Sequence, residues 1–266
     1  VDYVSRIEDP RLLAGRVALV SGAAKGMGAA HAVALARCGA SVIVGDVDVA
    51  GAGTVADQIG SRALAVELDV RSASSWGAAV DAATGRFGAV SILVNNAGIV
   101  HREPFADTSE ADFRRVLDVN QVGPFLGVQA VLGPMRSFGR GSVVNIASTA
   151  ALVGFQDRIG YVASKWAVRG MSRALAAELA PWNIRVNTVC PGVIETPMTS
   201  GLSAVGGSLL RRRGLPEEVA SLVVFLASDL SSYSTGADFV VDGGEVAVGG
   251  AAGSGGGVSP TVSGGA

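Results

Sequence analysis

The sequence predicts an α/β domain of the doubly wound kind, a single Rossmann-like unit with a central parallel sheet of about seven strands and helices on both faces. Three observations point there. Short apolar runs recur along the chain and alternate with breaker-free segments of helical length. The first run ends in a glycine-rich turn, Ser21-Gly22-Ala23-Ala24-Lys25-Gly26-Met27-Gly28. With 266 residues and 49% hydrophobic content, the chain can bury one full core and requires no second domain.

Taken in order, the strand at 16–20 leads into the glycine turn, and 29–38 follows as a helix. Glycines admit positive φ and let phosphates approach the backbone, while the helix N-terminus offers unpaired N–H groups and a positive dipole end. The spacing is G-x-x-x-G-x-G, a variant of the commoner dinucleotide fingerprint. A second strand at 41–45 ends in Asp46, eighteen residues past Gly28, about where an acid meets adenosine ribose hydroxyls. Third and fourth strands precede Leu68 and Asn95, and further strands are expected at 142–146, 184–189 and 238–241. Helices are expected at 50–59, 74–86, 110–136, 160–179 and 217–227.

Chemistry concentrates after the fifth strand. Tyr161 and Lys165 are one helical turn apart, so both can approach one bound molecule, and Ser148 lies thirteen residues upstream. A phenol titrates near 10, so work near neutrality requires a fall to about 7, worth roughly 4 kcal/mol in favour of phenolate. Lys165 is the nearby positive charge in the chain expected to contribute to it.

These motifs together resemble the short-chain dehydrogenase/reductase family from about Gly15 to Gly244. The resemblance also rests on Leu68-Asp69-Val70, Asn95-Asn96-Ala97-Gly98, Asn120, Pro191-Gly192-Val193-Ile194-Glu195-Thr196 and Asp242-Gly243-Gly244. Ser21 stands where Thr is usual in the family, and Ala147 where a Ser is frequent. The resemblance implies a catalytic set of Asn120, Ser148, Tyr161 and Lys165, with Asn120 holding a water that links Lys165 to solvent. It implies a nicotinamide cofactor held by Gly22, Lys25, Gly26, Met27, Gly28, Asp46, Asp69, Val70, Asn96, Ala97, Gly98, Tyr161, Lys165, Pro191, Gly192, Val193, Ile194 and Thr196. Asp46, followed by Asp48 and no arginine, favours NAD over NADP, and Lys25 is the one residue that argues the other way.

By family position the substrate faces Ser148, Thr149, Ala150, Phe155, Tyr161, Ile194, Met198 and Leu202, with Val100 and His101 at the rim. That lining is mostly apolar. With a lid at 197–215 that is short and rich in Gly and Ser, it suits a hydrophobic secondary alcohol or ketone in an open site. The stretch from Ser164 to Gly170 looks like the branch that includes hydroxysteroid dehydrogenases. Two alternatives remain. A 3-oxoacyl-carrier-protein reductase using NADPH shares the motifs, although Gly139 and Trp182 stand where it would carry docking arginines. A non-catalytic NAD-binding interaction or sensor protein shares the fold, and retention of all four catalytic residues argues against it.

Net charge is −2 and basic residues form no large block, so a footprint for nucleic acid is missing. Arg211-Arg212-Arg213 reads as a solvated cap. Cys38 and Cys190 lack CxxC spacing and read as reduced thiols of a cytoplasmic protein. His31 and His101 are too far apart in sequence to make a metal site by themselves. Residues 1–14 read as an N-terminal extension without signal-peptide pattern, 15–245 as the catalytic domain, and 246–266 as a Gly-rich flexible tail poorly suited to spanning a membrane. The family implies a homotetramer through the helices at 110–136 and 160–179.

Overall fold

The computed structural model describes residues 9–201 and 207–248. Seven strands, β1 (Val17–Ser21), β2 (Ser41–Asp46), β3 (Ala63–Glu67), β4 (Ile92–Asn95), β5 (Gly141–Ile146), β6 (Ile184–Pro191) and β7 (Asp238–Val241), form one sheet in the order β3-β2-β1-β4-β5-β6-β7. Every pairing is parallel. Around it lie α1 (Gly26–Arg37), α2 (Val49–Ile59), α3 (Ala73–Phe87), α4 (Glu110–Leu117), α5 (Gly123–Phe138), α6 (Ile159–Leu179) and α7 (Pro216–Ala227).

The central strands β1 and β5 are buried at every position because helices cover both faces. Alternation decides which core each side chain enters. Ala18, Val20, Val42, Val44, Val94 and Val144 pack under Leu35 of α1 and Val219 and Val223 of α7. Leu19, Ile43, Leu93, Val143 and Val186 pack on the other face against Trp76 of α3 and Val128 and Met135 of α5. Trp76 is fully buried, and its indole donates to the Val70 carbonyl at 3.0 Å, which anchors the loop after β3.

The expected helix at 110–136 is two helices. Between α4 and α5, Asp118–Val122 forms a π turn, in which the Gly123 N–H reaches back to the Asp118 carbonyl. Pro124 is one cause, since it lacks the N–H that would bond the Asn120 carbonyl in a regular helix. The other cause is Asn120 itself, whose side chain is engaged outside the helix, as described below. A period of 3.6 runs through both halves and does not reveal the break.

At the edges, Leu13 is fully buried and its N–H bonds the Cys38 carbonyl at 2.8 Å, so the core extends into the segment read as an extension. Within the expected lid, Pro197–Thr199 forms a 3₁₀ turn. Arg212 pairs with Glu218 at 2.6 Å. Leu202 and the tail beyond residue 248 lie outside the described residues.

Candidate active site

The chain winds to one side of the sheet from β1 through β2 and β3, and to the other from β4 onward. Open α/β sheets bind ligands in the crevice at the carboxyl ends of such diverging strands. A cavity of about 410 Å³ lies there. Gly22, Lys25, Gly26 and Met27 line it from the glycine turn, Asp46 from β2, Asp69 and Val70 from the loop after β3, Asn96, Ala97 and Gly98 from the loop after β4, and Thr196 from beyond β6.

The walls suit a dinucleotide. α1 starts without a side-chain cap and without an acid in its first turn, which leaves donors and a positive dipole end for phosphate. The Asp46 carboxylate is oriented by two backbone N–H groups, Ala24 at 2.9 Å and Asp48 at 3.0 Å. Asn96 donates to the carbonyls of Ser21 and Gly22, while its buried Oδ1 has no partner among the described residues. Arg71, missed in the sequence, also lines the cavity and clamps Asp69 at 2.7 Å, holding that carboxyl below its ordinary value. An acid and an arginine two residues apart were the available signal.

Five expected cofactor residues, Gly28, Pro191, Gly192, Val193 and Ile194, do not line this cavity. A Cβ at Gly28 would come 2.1 Å from the Gly22 carbonyl oxygen, so this glycine lets α1 close on the turn and does not line the cavity. Ile194 is 3% exposed and packs in the core beside α7, bridging to Gly214, and it lines neither this cavity nor the adjoining one. Pro191 is buried at the end of β6, and Gly192 and Val193 line the adjoining cavity described next.

β5 and α6 deliver the reactive groups to this edge. Ser148 follows β5 and caps a short 3₁₀ turn, its Oγ accepting from the Ala150 N–H at 3.1 Å, which leaves the hydroxyl proton to be donated. Asn120 ties the loop after β4 to α6. Its Oδ1 accepts from the Ile99 N–H at 2.8 Å, and its Nδ2 donates to the Ile99 carbonyl at 2.9 Å and to Ser164 Oγ at 3.1 Å. Ser164 Oγ donates to the Tyr161 carbonyl at 2.7 Å. Lys165 is buried, donates to the Ile146 carbonyl at 2.8 Å, and lies 5.6 Å from the centre of the Tyr161 ring. A Cβ added to Gly98 would stand 3.6 Å from Lys165 Nζ, which puts the cofactor cavity wall beside the lysine.

Burial raises the Tyr161 pKa above that of a free phenol, while Ser148, Arg158 and Arg102 pull it down. Burial also lowers Lys165 to about 8. The fall in the phenol's pKa expected from the sequence is therefore not a property of the protein alone.

Tyr161 and Ser148 open on a second, smaller cavity of about 90 Å³, which shares Met198 with the first. Val100, Thr149, Ala150 and Phe155 line it as expected. Arg102, Arg158, Thr199 and Glu245 line it too and were missed. Thr149 Oγ1 donates to Glu245 at 3.4 Å. His101, expected at the rim, bonds Glu103 at 2.9 Å and is not part of the wall.

Comparison with known proteins agrees with this geometry. A family model described as enoyl-(acyl carrier protein) reductase matches residues 22–245. The chain is 48% identical to a 3-alpha-(or 20-beta)-hydroxysteroid dehydrogenase of Mycobacterium tuberculosis, over 88% of this chain and 91% of the relative. It is 44% identical to a trans-4-hydroxycyclohexanecarboxylate dehydrogenase of Sinomonas cyclohexanicum, over 92% and 97%. A short-chain type dehydrogenase/reductase from Mycobacterium marinum superposes with a TM-score of 0.86 at 36% identity, covering 92% of this chain and 99% of its own. The chain belongs to the short-chain dehydrogenase/reductase family. It is an oxidoreductase that acts on CH–OH groups with a nicotinamide cofactor. Among the described residues, no helix is long and apolar enough to cross a membrane.

Proposed function

We propose that this protein interconverts a compact cyclic secondary alcohol and its ketone with NAD(H), Tyr161 being the acid and base. The observation that carries the reading is the junction of the two cavities, where Ser148 and Tyr161 face the smaller one and Lys165 borders the larger. When bound, the nicotinamide supplies or accepts the hydride. In oxidation, Ser148 donates a hydrogen bond to the alcohol oxygen and Tyr161 takes its proton. In reduction, Tyr161 returns a proton to the ketone oxygen. Lys165, released from the Ile146 carbonyl, holds the ribose hydroxyls of the cofactor and favours the phenolate by its charge.

Size supports a single ring over a fused steroid skeleton. As the described residues bound it, the cavity holds about 90 Å³, below the roughly 300–1,000 Å³ of pockets that enclose drug-sized ligands. The Sinomonas relative, named for a six-membered ring alcohol, is consistent with that choice. NAD is favoured over NADP by the oriented Asp46 carboxylate, which accepts from ribose hydroxyls and repels a 2′-phosphate. Self-association as a tetramer fits the exposed Phe125 of α5 and Trp166 of α6. Two free cysteines fit a cytoplasmic location.

The test is NADH formation from NAD⁺ with a panel of monocyclic and steroid secondary alcohols. Turnover of the monocyclic members is expected. Turnover confined to steroids would reject the size argument, and none at all would reject the activity.

A further inference from the structure

The smaller cavity carries two positive charges that a simple alcohol does not require. Arg102, on the loop after β4, and Arg158, immediately before α6, line it together with Ser148 and Tyr161. Arg158 is half-buried. Its guanidinium stands 5.2 Å from the Phe155 ring centroid, and its Nε donates to the Gln156 carbonyl at 3.2 Å. These contacts restrict the group and, among the described residues, leave its terminal nitrogens without an acceptor.

Among the described residues no carboxylate makes an ion pair with either guanidinium, whereas Arg71, Arg115, Arg169 and Arg212 each have one. Nearby acids are committed elsewhere or unpaired. Glu103 bonds His101, Asp112 bonds Ser109 and Arg115, and Glu245 accepts from Thr149 across the cavity. Asp157, next to Arg158, is exposed and makes no ion pair. Burial first, and the charge of Arg102 second, lower the Arg158 pKa, against opposing contributions from Tyr161, Asp157 and Glu245. Arg102 is exposed and Arg158 half-buried, and among the described residues neither has an ion pair, so both are free to meet an entering anion beside the reacting oxygen, and the planar fork of Arg suits a carboxylate.

We infer that the substrate is a cyclic secondary alcohol bearing a carboxylate, and that Arg158, assisted by Arg102, binds that carboxylate while Tyr161 and Ser148 hold the alcohol oxygen. This rests on the cyclic-alcohol reading above and adds a charge requirement to it. Glu245 lines the same cavity and its charge acts on Arg158, so it opposes an anion there and the two guanidiniums have to outweigh it.

The experiment uses the NAD⁺-loaded enzyme and two probes of nearly equal shape, 4-hydroxycyclohexanecarboxylate and its carboxamide. Wild type is expected to favour the carboxylate in kcat/KM by about tenfold or more, the size of one charge-assisted hydrogen bond, with the difference in KM. Arg158→Gln should bring the ratio toward one and Arg158→Lys should restore part of it. Competitive inhibition by cyclohexanecarboxylate, which has no alcohol to oxidise, should weaken in parallel. A wild-type ratio of one or below would overturn the inference and leave the dehydrogenase reading intact. So would an Arg158→Gln enzyme slowed equally on both probes with its pH profile moved upward, since the arginine would then act only on Tyr161. Failure of both probes in an enzyme that binds NADH would remove the cyclic-alcohol reading and this inference together.

Discussion

Tyr161 is a worse acid in this protein than in water, because burial penalises the phenolate more than Ser148 and the two arginines favour it. Its use as a base therefore requires charge that arrives with the oxidised cofactor or with a moved Lys165. Tyr161→Phe should lower kcat by roughly 10²–10⁴, the usual worth of a positioned acid or base, with NADH affinity by fluorescence within a few fold. In alcohol oxidation the wild-type rate should climb with pH through the Tyr161 pKa, since only the deprotonated phenol accepts a proton. A Tyr161→Phe enzyme with near-normal turnover and the same profile would remove the assignment. Asp46 is the second residue with a separable role. Wild type should have a higher kcat/KM with NADH than with NADPH, and Asp46→Ser should narrow the gap by losing both ribose contacts and phosphate repulsion. Equal efficiency in the wild type would defeat the preference.

The π turn between α4 and α5 is the element on which the site depends. It points Asn120 away from its own helix, toward both backbone groups of Ile99 and toward Ser164 of α6. Asn120→Leu would leave the Ile99 N–H and carbonyl unpaired in a partly buried place. Each such group costs about 1–3 kcal/mol, so the melting temperature should fall by several degrees. Turnover should drop as well, because the loop after β4 would lose its register against α6. An unchanged melting temperature, measured by circular dichroism, would mean that water replaces the side chain there.

Stability of the whole molecule should depend on one histidine. His31 of α1 is completely buried with neither ring nitrogen bonded among the described residues, and burial lowers its pKa to about 3. The unfolded chain takes up a proton near 6.5 while the folded one does not, so stability is full above that pH and is lost as pH falls toward 3. The slope is about 1.4 kcal/mol per pH unit. Urea unfolding at pH 7 and pH 5 should differ by about 2 kcal/mol more in wild type than in His31→Leu. A parallel response in the two proteins would mean that His31 is charged or solvated when folded. Assembly belongs to this scale too. Light scattering at micromolar concentration should give four times the chain mass, and a monomer would exclude the proposed tetramer.

The chain's own pattern determined the sheet, its parallel sense and the candidate catalytic residues, because the relevant signals are local. Apolar runs mark strands buried on both faces, glycines mark the turn into α1, and the one-turn spacing puts Tyr161 and Lys165 on the same face of α6. The expected residues that line the larger cavity were legible for the same reason, since each follows the end of a recognisable strand. Tertiary structure alone decided what depends on contacts between distant segments. The break at Asn120 needs Ile99 and Ser164 as partners. The packing of Gly28 and Ile194 is visible only once α1 closes on Gly22 and the segment after β6 folds under α7. Arg102, Arg158 and Glu245 come from three separate stretches and meet in one small cavity. No local period records such a meeting, because charge in a site is set by distances through space and by the water that packing removes.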